Sequence, residues 1–257
     1  SEDSGNTFLS QTLINPLSLR PEGTAGGSAR GIATTDDGRI AVGLQAIPKE
    51  NKVSRGGGTV RARGYVSISR DDGRSFDAPI EFTTPNAIIS AAQGDELGEE
   101  RGPSTQPFPR IVAHKNDIYA VWIGEYGEGK QSVYAAALPE GKNTFNVPVA
   151  VATGLEHTLT LSTLAVDRFG TIHAFWLAKV QNELWTLFYS KSLGGAEAFD
   201  VPRQVSNIIF PLEQWPGDFI RATANKEDVF VAWAVAGGEN KGIYISKIPL
   251  ARLMRIR

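Results

Sequence analysis

The sequence predicts an all-β fold: a β-propeller of four blades, each of four antiparallel strands, closed by the N-terminal strand. Three observations carry that prediction. A hairpin pattern recurs four times along the 257 residues. A third strand follows each hairpin after a loop. In the first three repeats, a turn, a phenylalanine and a proline then introduce a fourth strand.

The hairpins align as "RGIATTDDGRIAVGL" (30–44), "RIVAHKNDIYAVW" (110–122), "STLAVDRFGTIHAFW" (162–176) and "RATANKEDVFVAW" (221–233). In each, a short apolar strand ends near Ala33, Ala113, Ala165 or Ala224. A polar turn such as "DDG" or "KND" reverses the chain. A second strand opens at Ile40, Ile118, Ile172 or Val229, and four residues later stands Leu44, Trp122, Trp176 or Trp233. Repetition at this spacing is the mark of a repeat architecture, in which no unit buries its apolar face alone.

Third strands follow at "GYVSIS" (64–69), "SVYAAAL" (132–138), "TLFYSKS" (186–192) and "GIYISKI" (242–248). The pairs Phe76/Pro79, Phe145/Pro148 and Phe199/Pro202 then open the fourth strands. Proline has no N–H to give to a ladder, so this strand belongs at the outer edge. Four antiparallel strands repeated around an axis are the blades of a propeller.

The last unit has no fourth strand of its own, since only "PLARLMRIR" follows its third. The opening "NTFLSQTLIN" (6–15) has the shape of "NTFNVPVAV" and is expected, over residues 7–14, to complete the final blade. Such a closure leaves no open sheet edge where the ring meets itself. One domain over 1–257 results: blade 1 at about 30–84, blade 2 at 108–152, blade 3 at 161–206, and blade 4 at 219–249 plus 6–15. The rival arrangement is an arc of a larger propeller, cut at both ends or completed by a second chain.

Composition narrows the function. The chain has 26 basic and 28 acidic side chains, without the basic footprint of a nucleic-acid binder. No apolar run approaches the ~18 residues of a membrane span. There is no cysteine, which excludes disulfides and thiolate metal sites. His114, His157 and His173 lie far apart and are expected to be ordinary strand or loop residues, so neither metal nor cofactor is expected. The polar "SEDSGN" start lacks the pattern of a signal peptide. The expected location is secreted or periplasmic, with a leader already removed.

The stretch "SRDDGRSF" carries a motif: Ser69, Asp71, Gly73, Ser75 and Phe76 at the spacing Ser-x-Asp-x-Gly-x-Ser-aromatic. An aspartate there accepts backbone N–H bonds within the turn, and the glycine supplies a positive φ. The aromatic tucks beneath. This stretch resembles the Asp-box, or BNR repeat, of sialidase-type propellers. In that family the box is a structural turn away from the active site. The echoes at 138–145 and 192–199 keep the turn and the aromatic but not the aspartate.

Alternating strand direction divides the connections between two faces. The short first-to-second and third-to-fourth turns share one. On the other lie 45–63, 123–131, 177–185 and 234–241, with the inter-blade links 84–109, 153–161 and 207–218. Long loops on a rigid frame usually carry function, so this second face is the expected site. The first residues of the aligned repeats are Arg30, Arg110, Ser162 and Arg221. Converging guanidinium groups would form a carboxylate or phosphate site. The same residues could instead pair with neighbouring acids and tie blades together. The resemblance points the first way, because sialidases hold the substrate carboxylate with three central arginines. Arg110, in "PFPRIVA", partly matches that family's Arg-Ile-Pro motif. Sialidases also use a tyrosine–glutamate pair and an acid/base aspartate, which no motif locates in this chain. They have six blades, where this chain has room for about four.

Candidates on the long-loop face are Tyr126 beside Glu125 and Glu128, the run "GDELGEERG" (94–102), Glu213 and Asp218. Trp122, Trp176 and Trp233 repeat in register and are expected between blades. Trp185 and Trp215 fall outside that register, and either could stack on a sugar. The basic, glycine-rich 49–64 reads as a hairpin extension, and "ARLMRIR" as a surface tail. The function expected is that of a non-catalytic binding or scaffold propeller. It would recognise an anionic glycan or a protein partner on the long-loop face through Arg30, Arg110, Arg221, Tyr126 and Trp215. The alternative is an exo-sialidase-like glycoside hydrolase acting on an acid sugar. A place as one subunit of a larger assembly is also open.

Overall fold

The computed structural model describes residues 11–14, 24–48, 58–84, 88–92, 109–126, 130–152, 159–180, 184–207, 210–211, 220–235, 239 and 241–253. It is an all-β structure of four successive antiparallel units. Blade 1 holds β1 (Thr24–Thr34), β2 (Ile40–Pro48), β3 (Gly58–Ser69) and the short edge strand β4 (Ile80–Glu81). A fifth strand, β5 (Ile88–Ala92), pairs with the start of β3 and joins the next blade through Ile88 opposite Gly124. Blade 2 holds β6 (Arg110–His114), β7 (Asp117–Tyr126), β8 (Lys130–Leu138) and β9 (Val149–Ala150). In blade 3, β10 (Leu159–Val166), β11 (Thr171–Val180), β12 (Leu184–Leu193) and β13 (Arg203–Gln204) are joined by β14 (Phe210–Pro211), also on β12. Blade 4 has three strands among the described residues, β15 (Ile220–Ala224), β16 (Asp228–Val235) and β17 (Gly242–Pro249), then the helical turn α1 (Leu250–Leu253).

The two-residue period of a strand sends alternate side chains to the two neighbouring blades. Trp122, Trp176 and Trp233, all nearly inaccessible, face the preceding blade. Tyr119, Val121 and Ile123 on β7 face the following one, as do Phe175 and Leu177 on β11. Three apolar clusters result, between blades 1 and 2, 2 and 3, and 3 and 4. Each indole removes about 150–250 Å² from water. At ~25 cal/mol/Å² that is an upper estimate of roughly 4–6 kcal/mol apiece. The inner strands follow one another in space as β1, β6, β10 and β15. Among the described residues no comparable packing joins blade 4 to blade 1.

The 69–76 turn is built from side-chain bonds. Asp71 Oδ1 accepts from Ser69 Oγ (2.8 Å) and the Ser75 amide (2.9 Å), and Oδ2 accepts from Ser75 Oγ (2.6 Å). The Gly73 amide donates to Ser69 Oγ at 2.8 Å, and Gly73 has φ 82°. Those bonds, led by Ser75, hold the Asp71 carboxyl down at about 2. Phe76 packs on Val42, Leu44, Ala46 and Tyr65.

Several expectations need correction. The stretches 45–63 and 84–109 are not simply loops. β2 runs on to Pro48, β3 begins at Gly58, and β5 lies within the inter-blade link. Alternation in "GTVRARGY" and the apolar "IISAA" favour strand over coil there. Trp185 is no stacking platform, because it lies in β12 and is 1% exposed within the blade 3–4 core. Just before the expected surface tail 251–257, Leu250 is buried in that core and its amide donates to Glu227 O. Residues 7–10 of the expected closing strand lie outside the described residues. Residues 11–14 carry no strand, and Ile14 packs on the outer cluster of blade 1.

Candidate functional site

Arg30 and Arg110 lie on adjoining inner strands. The reason is a close approach between blades 1 and 2. A Cβ on Gly31 would sit 3.3 Å from Ile111 Cγ1, and one on Gly43 would sit 3.2 Å from Ile111 Cγ2. Glycine at both positions lets Ile111 press against β1 and β2. The residues before Gly31 and Ile111 are Arg30 and Arg110.

Their settings differ. Arg110 opens β6 opposite Val121 and is buried. Arg30 stands at a register shift, between Ala29 paired to Leu44 and Gly31 paired to Gly43. It is the seventh residue of β1 rather than its first, because that strand starts at Thr24. Bulges of this kind re-aim a side chain. A second shift occurs in blade 3 between Thr160 and Ser162, where Leu161 has φ 47°. Ser162 itself is buried. Arg221 is second in β15, opposite Ala232, and its Nη1 donates to Ile220 O at 2.8 Å. Desolvation lowers its pKa from the ordinary arginine value. The inner-strand order places β10, with Ser162, between Arg110 and Arg221. Arg30 and Arg110 thus stand on adjoining strands, and Arg221 on a strand separated from β6 by β10.

Tyr126 ends β7 opposite Lys130, and Glu125 stands beside it opposite Gln131. Trp215, Glu128, Glu213, Asp218 and the acidic run 94–102 lie outside the described residues. So does His157. Among the described residues no group of three or more His, Asp or Glu side chains is arranged to hold a metal ion. No helix there is long and apolar enough to cross a membrane.

A second polar constellation went unpredicted. Asp167, His173 and Tyr189 form a buried chain: His173 Nε2 lies 3.2 Å from Asp167 Oδ2, and His173 Nδ1 lies 2.9 Å from Tyr189 Oη. With the carboxylate ionised, Nε2–H donates to it and Nδ1 accepts from the phenol. Asp167 Oδ1 also accepts from the amides of Phe169 and Thr171. Burial pushes the Tyr189 phenol up and the His173 imidazole down, the latter against Asp167, which pulls it upward. Both shifts favour neutral forms. The arrangement ties the β10–β11 turn to β11 and β12. The sequence offered one signal for it, an aspartate opening the turn of a hairpin whose next strand starts two residues before the histidine.

Beside Tyr189 a cleft of about 340 Å³ opens between blades 3 and 4, lined by Lys191, Arg203, Val205, Lys247 and Pro249 among others. It lies toward the third-to-fourth turns, away from the arginines.

No family model matches the chain, and no curated protein does. Solved structures do. A protein of unknown function from Dyadobacter fermentans superposes with a TM-score of 0.58 at 14% identity, over 90% of this chain and 63% of that one. A Hadza microbial sialidase gives 0.57 at 12% identity, over 88% and 45%. The chain shares the fold of sialidase propellers. A NanB structure gives 0.51 at 9% identity, over 87% of this chain and 46% of that one. The chain thus spans less than two thirds of each of these proteins' length.

Proposed function

We propose that this chain is a sialidase-like propeller module that binds an anionic glycan on its long-loop face, without catalysing a reaction. The observation that carries the reading is that Arg30 and Arg110 stand on adjoining inner strands, β1 and β6. Arginine is the residue suited to a carboxylate, since its guanidinium offers a planar fork of donors. Tyr126 at the end of β7 and Trp215 would contact the sugar around it, with Arg221 completing the basic wall. The 69–76 turn is, on this reading, the family's Asp-box, a structural device. Export to the periplasm or the outside, and a place within a larger assembly, belong to the same proposal.

Glycan-array binding of the chain and its Arg110→Ala variant tests it. Binding to carboxylate-bearing glycans is expected, with at least a tenfold loss on substitution. Unchanged binding would remove the arginine pair from the site. A hydrolase acting on an acid sugar is the second reading, favoured by the fold shared with a sialidase. It requires turnover of a fluorogenic sialoside that disappears in Arg110→Ala. Inactivity over a panel of acid-sugar substrates, with binding intact, decides for the binding module.

A further inference from the structure

The cleft between blades 3 and 4 lies at a place that the other two interfaces fill with a ring. Just past the short edge strand of blades 1–3, an apolar residue returns its amide to the third strand: Phe82 to Gly64 O, Val151 to Val133 O and Val205 to Leu187 O, at 2.7–3.0 Å. A phenylalanine of the next blade packs beside the first two. Phe145 meets Phe82 with ring centroids 5.6 Å apart, and Phe199 packs on the cluster that holds Val151. Val205 instead faces the cleft, whose other wall is Lys247, Ile248 and Pro249 of β17. The cleft measures about 340 Å³. At ~30 Å³ for a water-sized group, it has room for about eleven non-hydrogen atoms. That is an aromatic ring with one short substituent.

The charge on its walls says what the substituent is. Val201, Val205, Ile248 and Pro249 make the walls apolar, and three cations, Lys191, Arg203 and Lys247, stand among them. Two of the three face carboxylates. Lys191 Nζ lies 3.9 Å from Asp200 Oδ2, and Lys247 Nζ lies 3.0 Å from Asp228 Oδ2. Arg203 stands exposed on the edge strand β13, opposite Tyr189. Among the described residues no carboxylate lies within ion-pair distance of its guanidinium. Three cations against Asp200 and Asp228 leave one positive charge in excess, and it is carried by a planar fork of donors. A few placed polar groups on an apolar concavity are the usual make-up of a small-molecule site.

We propose that this cleft is a second binding site, independent of the glycan reading, and that its ligand is a small aromatic monocarboxylate. The ring lies between Val205 and the Ile248–Pro249 wall, and the carboxylate pairs with the Arg203 fork. Asp200, on the same wall as Arg203, disfavours a second negative charge on the ligand.

The test titrates phenylacetate into the full chain and follows backbone amides by NMR. Saturable shifts centred on Val201, Gln204, Val205 and Ile248 are expected, with a Kd of about 1 mM or below. 2-Phenylacetamide keeps the shape without the charge, and acetate keeps the charge without the ring. Each should bind at least tenfold more weakly. Arg203→Ala, an exposed position whose loss leaves the core untouched, should lower phenylacetate affinity at least tenfold. Val205→Phe, which brings in the ring that Phe82 supplies in blade 1, should fill the cleft and abolish the shifts. No saturation by about 10 mM, equal binding of the amide, or full binding in Arg203→Ala would overturn the proposal. Shifts confined to β1, β6 and β15 would assign the carboxylate to the arginine-bearing inner strands and overturn it as well.

Discussion

His173 makes a prediction about pH that the fold can be held to. Its ring is 1% exposed, and burial carries its pKa below the ordinary 6.5 even though Asp167 acts in the opposite sense. In the unfolded chain the imidazole binds a proton near its ordinary value, and in the folded chain it does so only at lower pH. Between those two values the unfolded state holds more protons, so stability rises with pH. The contribution is fully present above about 6.5 and is lost as pH falls toward the folded value. For one group the slope approaches ~1.4 kcal/mol per pH unit. The two strongly shifted carboxylates do not interfere. Asp37 and Asp71 are both held at about 2, so what they contribute is lost only as pH falls below the ordinary 3.8. Urea unfolding at half-unit steps from pH 7.5 to 5.0 measures the slope. His173→Gln should be less stable throughout but markedly flatter below pH 6.5. Equal slopes in wild type and His173→Gln would refute the reasoning. So would a wild type that gains stability on acidification, which would mean that the Asp167 carboxylate outweighs burial.

Three further perturbations follow from packing and turn geometry. A Cβ on Gly64 would lie 2.2 Å from Phe82 Cζ, so Gly64→Ala should cost about 1–3 kcal/mol in urea unfolding. Adding Phe82→Leu should return part of that loss. Gly43→Ala, whose Cβ would press on Ile111 from 3.2 Å, should weaken glycan binding more than its loss of stability explains, because it separates the Arg30 and Arg110 strands. Ile111→Val should relieve both effects, as read by binding and denaturation on the same samples. Asp71→Ala should speed hydrogen exchange of the Ser75 amide at least tenfold while leaving glycan binding unchanged. A binding loss in that variant would move the site to the turn face.

Much of the frame is legible because it is encoded redundantly. The alanine–turn–isoleucine-or-valine–tryptophan spacing can be read in three hairpins independently, and the structure puts each tryptophan in the same inter-blade position. Phe145 and Phe199 predict short outer strands through their prolines, and β9 and β13 begin just beyond them. What escaped has physical reasons. β5 carries "IISAA" without turn residues that would mark its ends, and its pairing with β3 depends on a non-local neighbour. Trp185 lacks the repeat register because it enters the core from a third strand rather than a second. The Asp167–His173–Tyr189 chain joins three strands' worth of sequence, and only tertiary packing brings the phenol to the ring. The arginine positions were visible as a column in the aligned repeats. Their unequal settings were not, because the bulge at Arg30 arises where β1 runs on toward Thr24 beyond the repeat.

That asymmetry bears on what the wall of arginines can do. A propeller repeats its strands but need not repeat its inner surface, since each inner strand can shift its register by one residue without disturbing the blade behind it. Blade 1 carries its shift at Arg30 and blade 3 carries one at Leu161, while among the described residues the pairings of blades 2 and 4, which begin at Arg110 and Ile220, show none. Arg30 and Arg110 stand on adjoining strands, whereas blade 3 offers a buried serine. On the proposed reading, a ligand there would meet arginines carried by two adjoining strands and a serine-bearing strand beyond them. Such a site suits a single carboxylate on an asymmetric sugar better than a symmetric polyanion. The unequal inner strands thus argue for orientation-specific recognition, in which removing Arg110 and removing Arg221 have different consequences.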